Sequence, residues 1–155
     1  MPFTPLHFGV GALCHAVAPR RVSLSAFCAG NVLIDVEPLY YLLRGEFPLH
    51  RFWHSYVGAT LLLLLAQWAF RWLRRRDWFG FPQLTRANVF AGLSLGLYSH
   101  VLLDSVMHAD MHPWWPVLGH NALLNGVSID ALYNGCLVAG VLGFIWLVLR
   151  GEIEI

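Results

Sequence analysis

Along this chain apolar residues run in long blocks, and most charged residues fall between the blocks. Five blocks can be traced, over residues 4–18, 23–43, 56–70, 87–106 and 131–149. The last contains no charge and is long enough to cross a bilayer at ~20 residues per helix. The third holds five consecutive leucines, residues 61–65, and leads into Trp68 and Trp72. The fourth is dotted with Gly92, Ser94, Gly96 and Ser99, small residues that let helices approach closely in lipid. The first block is short for a crossing. The second is interrupted by Asp35, Glu37 and Pro38, and the proline predicts a break because it disfavours helical geometry at Glu37. On an unbroken helix residues two apart point in nearly opposite directions, so Asp35 and Glu37 reach one site only if the helix ends between them. The pattern predicts an all-α, polytopic membrane bundle of about five helices, a single domain over residues 1–155.

Composition agrees with that reading. Apolar residues make up 57% of the chain and charged ones 12%, about half the charge of an ordinary soluble domain. All ten basic residues are arginine, and a net charge of +1 is silent about partners. Cys14, Cys28 and Cys136 lie in apolar runs without a C-x-x-C and read as buried free thiols. The first basic residue is Arg20, so no cleavable signal peptide with a positive n-region is expected. If all five blocks cross, Arg20, Arg21, Arg71, Arg74, Arg75, Arg76, Arg86 and Arg150 fall on one side. Arg44 and Arg51 fall on the other. By the positive-inside rule the N-terminus is expected outside and the C-terminus in the cytoplasm. Trp72, Trp78 and Phe79 then mark the inner interface, and Trp53, Trp114 and Trp115 the outer one. The cluster from Arg71 to Arg76 abuts a span and reads as a topology anchor, so nucleic acid is not an expected partner.

The exceptions to the apolar pattern carry the chemistry. His7, Asp35, Glu37, His50, His54, His100 and Asp104 lie in or beside the apolar blocks, where an ionisable group is costly and marks a functional site. The same five-crossing arrangement puts all seven at one depth on the outer side. Scattered structural histidines have no reason to collect there. His100 and Asp104 are four apart, so a helix puts them on one face. His50 and His54 share that spacing in H-R-F-W-H-S, expected at a helix entry. Any single pair is more simply a hydrogen-bonded contact between helices. Four segments meeting at one level favour a ligand set, and histidine with carboxylate is that of a hydrolytic transition metal. His108, Asp110 and His112 read equally as further ligands or as a solvated outer loop. His15, near the cytoplasmic end of its block, and His120, in a loop, are excluded. Asp130 reads as a helix N-terminal charge.

These motifs resemble a known family. T-P-L-H at 4–7, D-V-E-P at 35–38, H-R-F-W-H-S at 50–55 and S-H-V-L-L-D at 99–104 follow, in order, the motifs of the YdjM-like inner-membrane metal-dependent hydrolases, described as LexA-regulated. The resemblance covers most of the chain. It implies a bacterial inner-membrane protein with His7, Asp35, His50, His54, His100 and Asp104 as metal ligands and Glu37 in the second acidic position. Two departures stand out: the His-Arg motif lacks the family's glycine and is one residue shorter, and Glu37 replaces an aspartate. The H-x-x-x-D element also resembles the zinc-dependent phospholipase C superfamily, which implies phosphoester substrates and a multinuclear zinc site.

The chemistry so implied is metal-assisted hydrolysis. Six ligands exceed what one tetrahedral zinc needs and suit two ions sharing a carboxylate. Glu37, if not a ligand, is the expected general base. A site at the outer interface would meet membrane lipid, favouring a lipid-like phosphoester. A metal or proton transporter using the same cluster is the alternative, ranked below because no matching polar residues lead to the cytoplasm. A haem protein ranks lower still, since axial histidines have no need of three carboxylates.

Overall fold

The computed structural model describes residues 5–75 and 84–152, and those residues contain six α-helices and no strand. The helices are α1 (His7–Val17), α2 (Leu24–Ile34), α3 (Val36–Arg44), α4 (Tyr56–Arg75), α5 (Arg86–Met107) and α6 (Ile129–Leu149). A single 3-10 turn, Phe52–His54, precedes α4. Four stretches are long and apolar enough to cross a membrane: Leu24–Arg44, which joins α2 and α3, and the helices α4, α5 and α6. The shorter α1 has 11 residues and spans roughly 16 Å, about half a hydrocarbon core. Thr4, Arg76, Trp78 and Phe79, given places above, lie outside the described residues.

The ends of these helices follow from local chemistry. Ser23, Thr85 and Ser128 each stand just before a helix and accept from the backbone N–H three residues on, at 3.2, 3.2 and 3.3 Å. Asp130 lies in the first turn of α6. The predicted break in the second block falls at Asp35, earlier than Glu37. A proline has no N–H for the carbonyl four residues back, which for Pro38 is that of Ile34, the last residue of α2. Pro38 itself sits in the first turn of α3, where an N–H has no helical acceptor to miss. The helix resumes at once, with Leu39 N donating to the Asp35 carbonyl at 3.1 Å.

α2 and α5 run parallel and pack closely. Ser23 N donates to the Asn88 carbonyl at 3.1 Å at one end of the pair, and Asn31 meets His100 at the other. Between them Gly96 lies so near the Phe27 carbonyl that a Cβ would collide with it. The buried core is centred on these two helices and α4, and includes Ile34, Ala59, Leu63, Leu93, Leu97 and Val101. α6 packs on α1 along the other side. Its outward residues, among them Leu137, Val141, Phe144 and Ile145, are exposed, as a lipid-facing surface requires.

The contacts also define two ends. At one, His15 Nδ1 donates to the Val22 carbonyl at 2.7 Å, Gln67 to that of Arg86 at 3.1 Å, and Arg150 reaches that of Ala16 at 3.4 Å. Arg20, Arg21, Arg71, Arg74, Arg75, Arg86 and Arg150 belong to this end. Arg44, Arg51 and the polar cluster belong to the opposite one.

Candidate metal centre

His7 opens α1, Asp35 is the hinge between α2 and α3, and His100 and Asp104 occupy successive turns of α5. His50 and His54 come from the segment before α4. The H-R-F-W-H-S stretch is not a helix entry at constant pitch: His50 lies in a loop and only residues 52–54 turn, as 3-10. Two local features hold that turn. Ser55 Oγ donates to the Phe52 carbonyl at 2.8 Å and accepts from Gly58 N at 3.0 Å. Gly58 has no Cβ to strike the Phe52 carbonyl, so the turn folds back onto the first turn of α4.

The structure brings all six ligand candidates together, and each is 4% exposed or less. His100 Nε2 lies 3.2 Å from Asp35 Oδ1 and 3.1 Å from Asp104 Oδ2, and His54 Nε2 lies 3.8 Å from Asp35 Oδ1. The other oxygen of Asp104 faces His7 Nε2 at 3.5 Å, and His50 Nε2 lies 3.9 Å from Asp104 Oδ2. One ligand atom from each of Asp35, His54, His100 and Asp104 lies within 4.8 Å of all the others, a grouping that could hold a metal ion. Around a tetrahedral zinc with bonds of about 2.0–2.1 Å, ligand atoms stand about 3.3 Å apart. The observed separations bracket that value.

The decisive property is that these atoms lack partners. Nε2 of His7, His50, His54 and His100, with Oδ1 of Asp35 and of Asp104, are buried and make no aligned hydrogen bond among the described residues. Leaving one buried polar atom unsatisfied costs about 1–3 kcal/mol, so six together would rival the 5–15 kcal/mol stability of a whole domain. A proton on His100 Nε2 would reach Asp35 Oδ1 and Asp104 Oδ2, and leave Asp104 Oδ1 and three histidine nitrogens still unpartnered. A divalent cation answers the whole set, since two carboxylates carry −2 and neutral imidazoles lend lone pairs. The donor set therefore fits a transition metal.

Glu37, expected as the general base if not a ligand, stands behind His54. Its Oε2 accepts from the backbone N–H of Arg51 at 3.3 Å and of Trp53 at 3.1 Å, and lies 3.6 Å from Nδ1 of His54. Asp35 and Glu37 thus meet His54 from opposite sides of its ring. Asp110, left open by the sequence, joins His50: its Oδ1 accepts from Nδ1 at 2.9 Å and its Oδ2 from the N–H of Leu49 and His50 at 3.0 and 3.2 Å. Burial lowers the pKa of His50, and the nearby His54 and His108 act the same way against the opposing Asp110. Burial pushes Asp110 up, but the hydrogen bonds from His50 and the backbone outweigh it and hold the carboxyl low.

His50, His108 and Asp110 form a second grouping of potential ligands. It is a poorer metal site. The imidazoles of His50 and His108 are stacked, 4.2 Å apart at 29°, so their in-plane lone pairs do not converge, and both Asp110 oxygens are already engaged. His112 and His120 are exposed, and His15 binds a carbonyl at the far end. Asn31 is the contributor that sequence reasoning missed. Its signal was present: a polar side chain within an apolar helix, four residues before Asp35 and so on the same face.

A model of the YdjM inner membrane protein family matches residues 1–154. The chain belongs to that family. It is an integral inner-membrane protein, and the buried cluster lies within the family's matched length. No curated protein and no solved structure matches the chain.

Proposed function

We propose that this family member is a metal-dependent hydrolase acting on a phosphoester or lipid-linked substrate at the outer membrane interface. The observation that carries the reading is the convergence of six buried, unpartnered nitrogen and oxygen atoms from four segments of the chain. Asp35, His54, His100 and Asp104 would hold one ion, zinc by the character of the donors. His7 and His50 lie 3.5 and 3.9 Å from the oxygens of Asp104 and would be the further ligands if the centre held a second ion. A bound divalent ion supplies an activated water and polarises the bond under attack. The chain contributes neutral imidazoles, two fixed carboxylates and a dry surround.

Access and orientation support the rest. A cleft of about 280 Å³ opens beside the cluster, lined by Pro48, His50, Arg51, Ser55, Asp110 and Trp115. Trp114 and Trp115 are exposed next to it, the residue type that settles at headgroup level. Seven described arginines gather at the opposite end, which by the positive-inside rule is cytoplasmic and leaves the N-terminus and the cleft outside.

The test is metal content and hydrolysis by the purified full chain in lipid nanodiscs. Bound zinc and turnover of a phospholipid or lipid pyrophosphate are expected, both lost in His100→Ala. A metal-loaded wild type inert towards phospholipid, lipid pyrophosphate, nucleotide and peptide would exclude the hydrolase. Zinc flux into liposomes would then establish a transporter.

A further inference from the structure

Three of the four histidines in the centre present the same nitrogen inward and the same nitrogen outward. Nε2 of His50, His54 and His100 faces the cluster, while each Nδ1 faces a polar side chain behind it. The three partners come from three different places. Asp110, after α5, accepts from His50 at 2.9 Å. Asn31 of α2 meets Nδ1 of His100 at 3.0 Å. Glu37 of α3 stands 3.6 Å from Nδ1 of His54.

We infer that Asn31 and Asp110 are positioning residues that hold a proton on Nδ1 of His100 and of His50, so that each Nε2 points into the centre as a ligand atom before a metal ion binds, with Glu37 standing behind His54 beyond hydrogen-bond distance. The inference rests on the metal-site reading above and deepens it. Asn31 gives the clearest case. Its Nδ2 donates to the Phe27 carbonyl at 3.0 Å, so the amide cannot turn over, and the atom left facing His100 is the oxygen. An oxygen there requires Nδ1 of His100 to carry the proton. In a neutral ring Nε2 is then bare, and it points between two carboxylate oxygens. A lone pair among anionic oxygens is repulsive, so Nε2 takes up a positive charge there, a proton while the centre is empty and a metal ion in its place when one binds.

The other partners are fixed as firmly. Two backbone N–H groups hold Oδ2 of Asp110, which aims Oδ1 at His50. Two more hold Oε2 of Glu37, though its distance to His54 is longer than a hydrogen bond, so its influence is the weakest of the three. His15 shows the contrast. Its Nδ1 also donates, but to a carbonyl at the far end, away from any cluster. Outer partners of this kind orient ligating histidines in metal sites generally, and losing one costs 10–100-fold in metal affinity.

The experiment titrates zinc against a competing chelator in the purified full chain and reads the histidine Nδ1–H groups by 15N NMR with and without zinc. Asn31→Leu removes the oxygen and should weaken zinc binding about 10–100-fold, with the Nδ1–H of His100 no longer held in a hydrogen bond. Asn31→Asp keeps an oxygen for Nδ1 but loses the anchor to the Phe27 carbonyl, and should weaken zinc binding less than Asn31→Leu. Asp110→Ala should show the same pair of effects at His50, and it decides the matter if Asn31→Leu fails to fold. Unchanged affinity and Nδ1–H groups in Asn31→Leu and Asp110→Ala, with zinc bound by wild type, would overturn the inference. A wild type with Nδ1–H histidines and no affinity for zinc would instead overturn the metal reading and leave the hold on Nδ1 standing.

Discussion

At the scale of single residues, the two nitrogens of one imidazole ring face different carboxylates. His54 has Asp35 on its Nε2 side and Glu37 on its Nδ1 side, so two carboxylates only two residues apart are placed to do unlike things. His54→Ala, His100→Ala and Asp104→Ala each remove an inward atom and should abolish stoichiometric zinc. His15→Ala and His120→Ala should leave it intact, as elemental analysis of the five purified proteins would register. Equal zinc in all five would mean that the cluster is a structural polar contact. Because ligand removal and unfolding are coupled in metal proteins, helicity by circular dichroism has to accompany each value. Glu37→Gln separates two roles. A positioning Glu37 predicts a few-fold loss of zinc affinity and near-normal turnover at saturating zinc. A drop of about 10²–10⁴-fold in turnover with zinc retained would restore Glu37 as the general base.

At the scale of elements, the centre depends on helices that stop or approach in particular ways. Pro38 leaves the Ile34 carbonyl without its donor, α2 ends there, and Asp35 is placed at the hinge. α5 supplies His100 and Asp104 on one face, and the spacing alone was enough to foresee that pair. The pairing of α5 with α2 was not legible, because it depends on Gly96 meeting the Phe27 carbonyl across the helix interface. Gly96→Leu should force the two helices apart and cost about 1–3 kcal/mol of stability, the usual penalty for overpacking. A lower thermal midpoint in detergent should appear together with weaker zinc binding, because the same interface sets the distance from Asn31 to His100. Weaker zinc binding without loss of stability would show that Gly96 acts on the site by another route. The segment from His50 to His54 was expected as a regular helix entry, and it brings both histidines to the cluster by a different route. Its i, i+4 spacing is satisfied by a loop and one 3-10 turn, with the imidazole rings 4.8 Å apart.

At the scale of the whole molecule, arginines at one end and the ionisable cluster at the other give the bundle a direction. Reporter fusions after Arg75 and after Gly119 should register cytoplasm and exterior respectively, and the reverse result would move the centre to the cytoplasmic face. What the sequence determined by itself was local and periodic. Long apolar blocks can be satisfied in lipid only as helices, since each backbone N–H and carbonyl must find its partner within the segment. Ionisable residues in those blocks had to face one another, so their types and their end of the bundle could be read from spacing and arginine counts. What only the tertiary structure decided was which atom faces which. Asp35 and His54 lie nineteen positions apart, and Asn31 and His100 sixty-nine. No local preference encodes the side of a ring that such partners meet. That choice is made when helices pack, because the one arrangement that brings the backbones into contact also fixes which nitrogens point inward and which are held from behind.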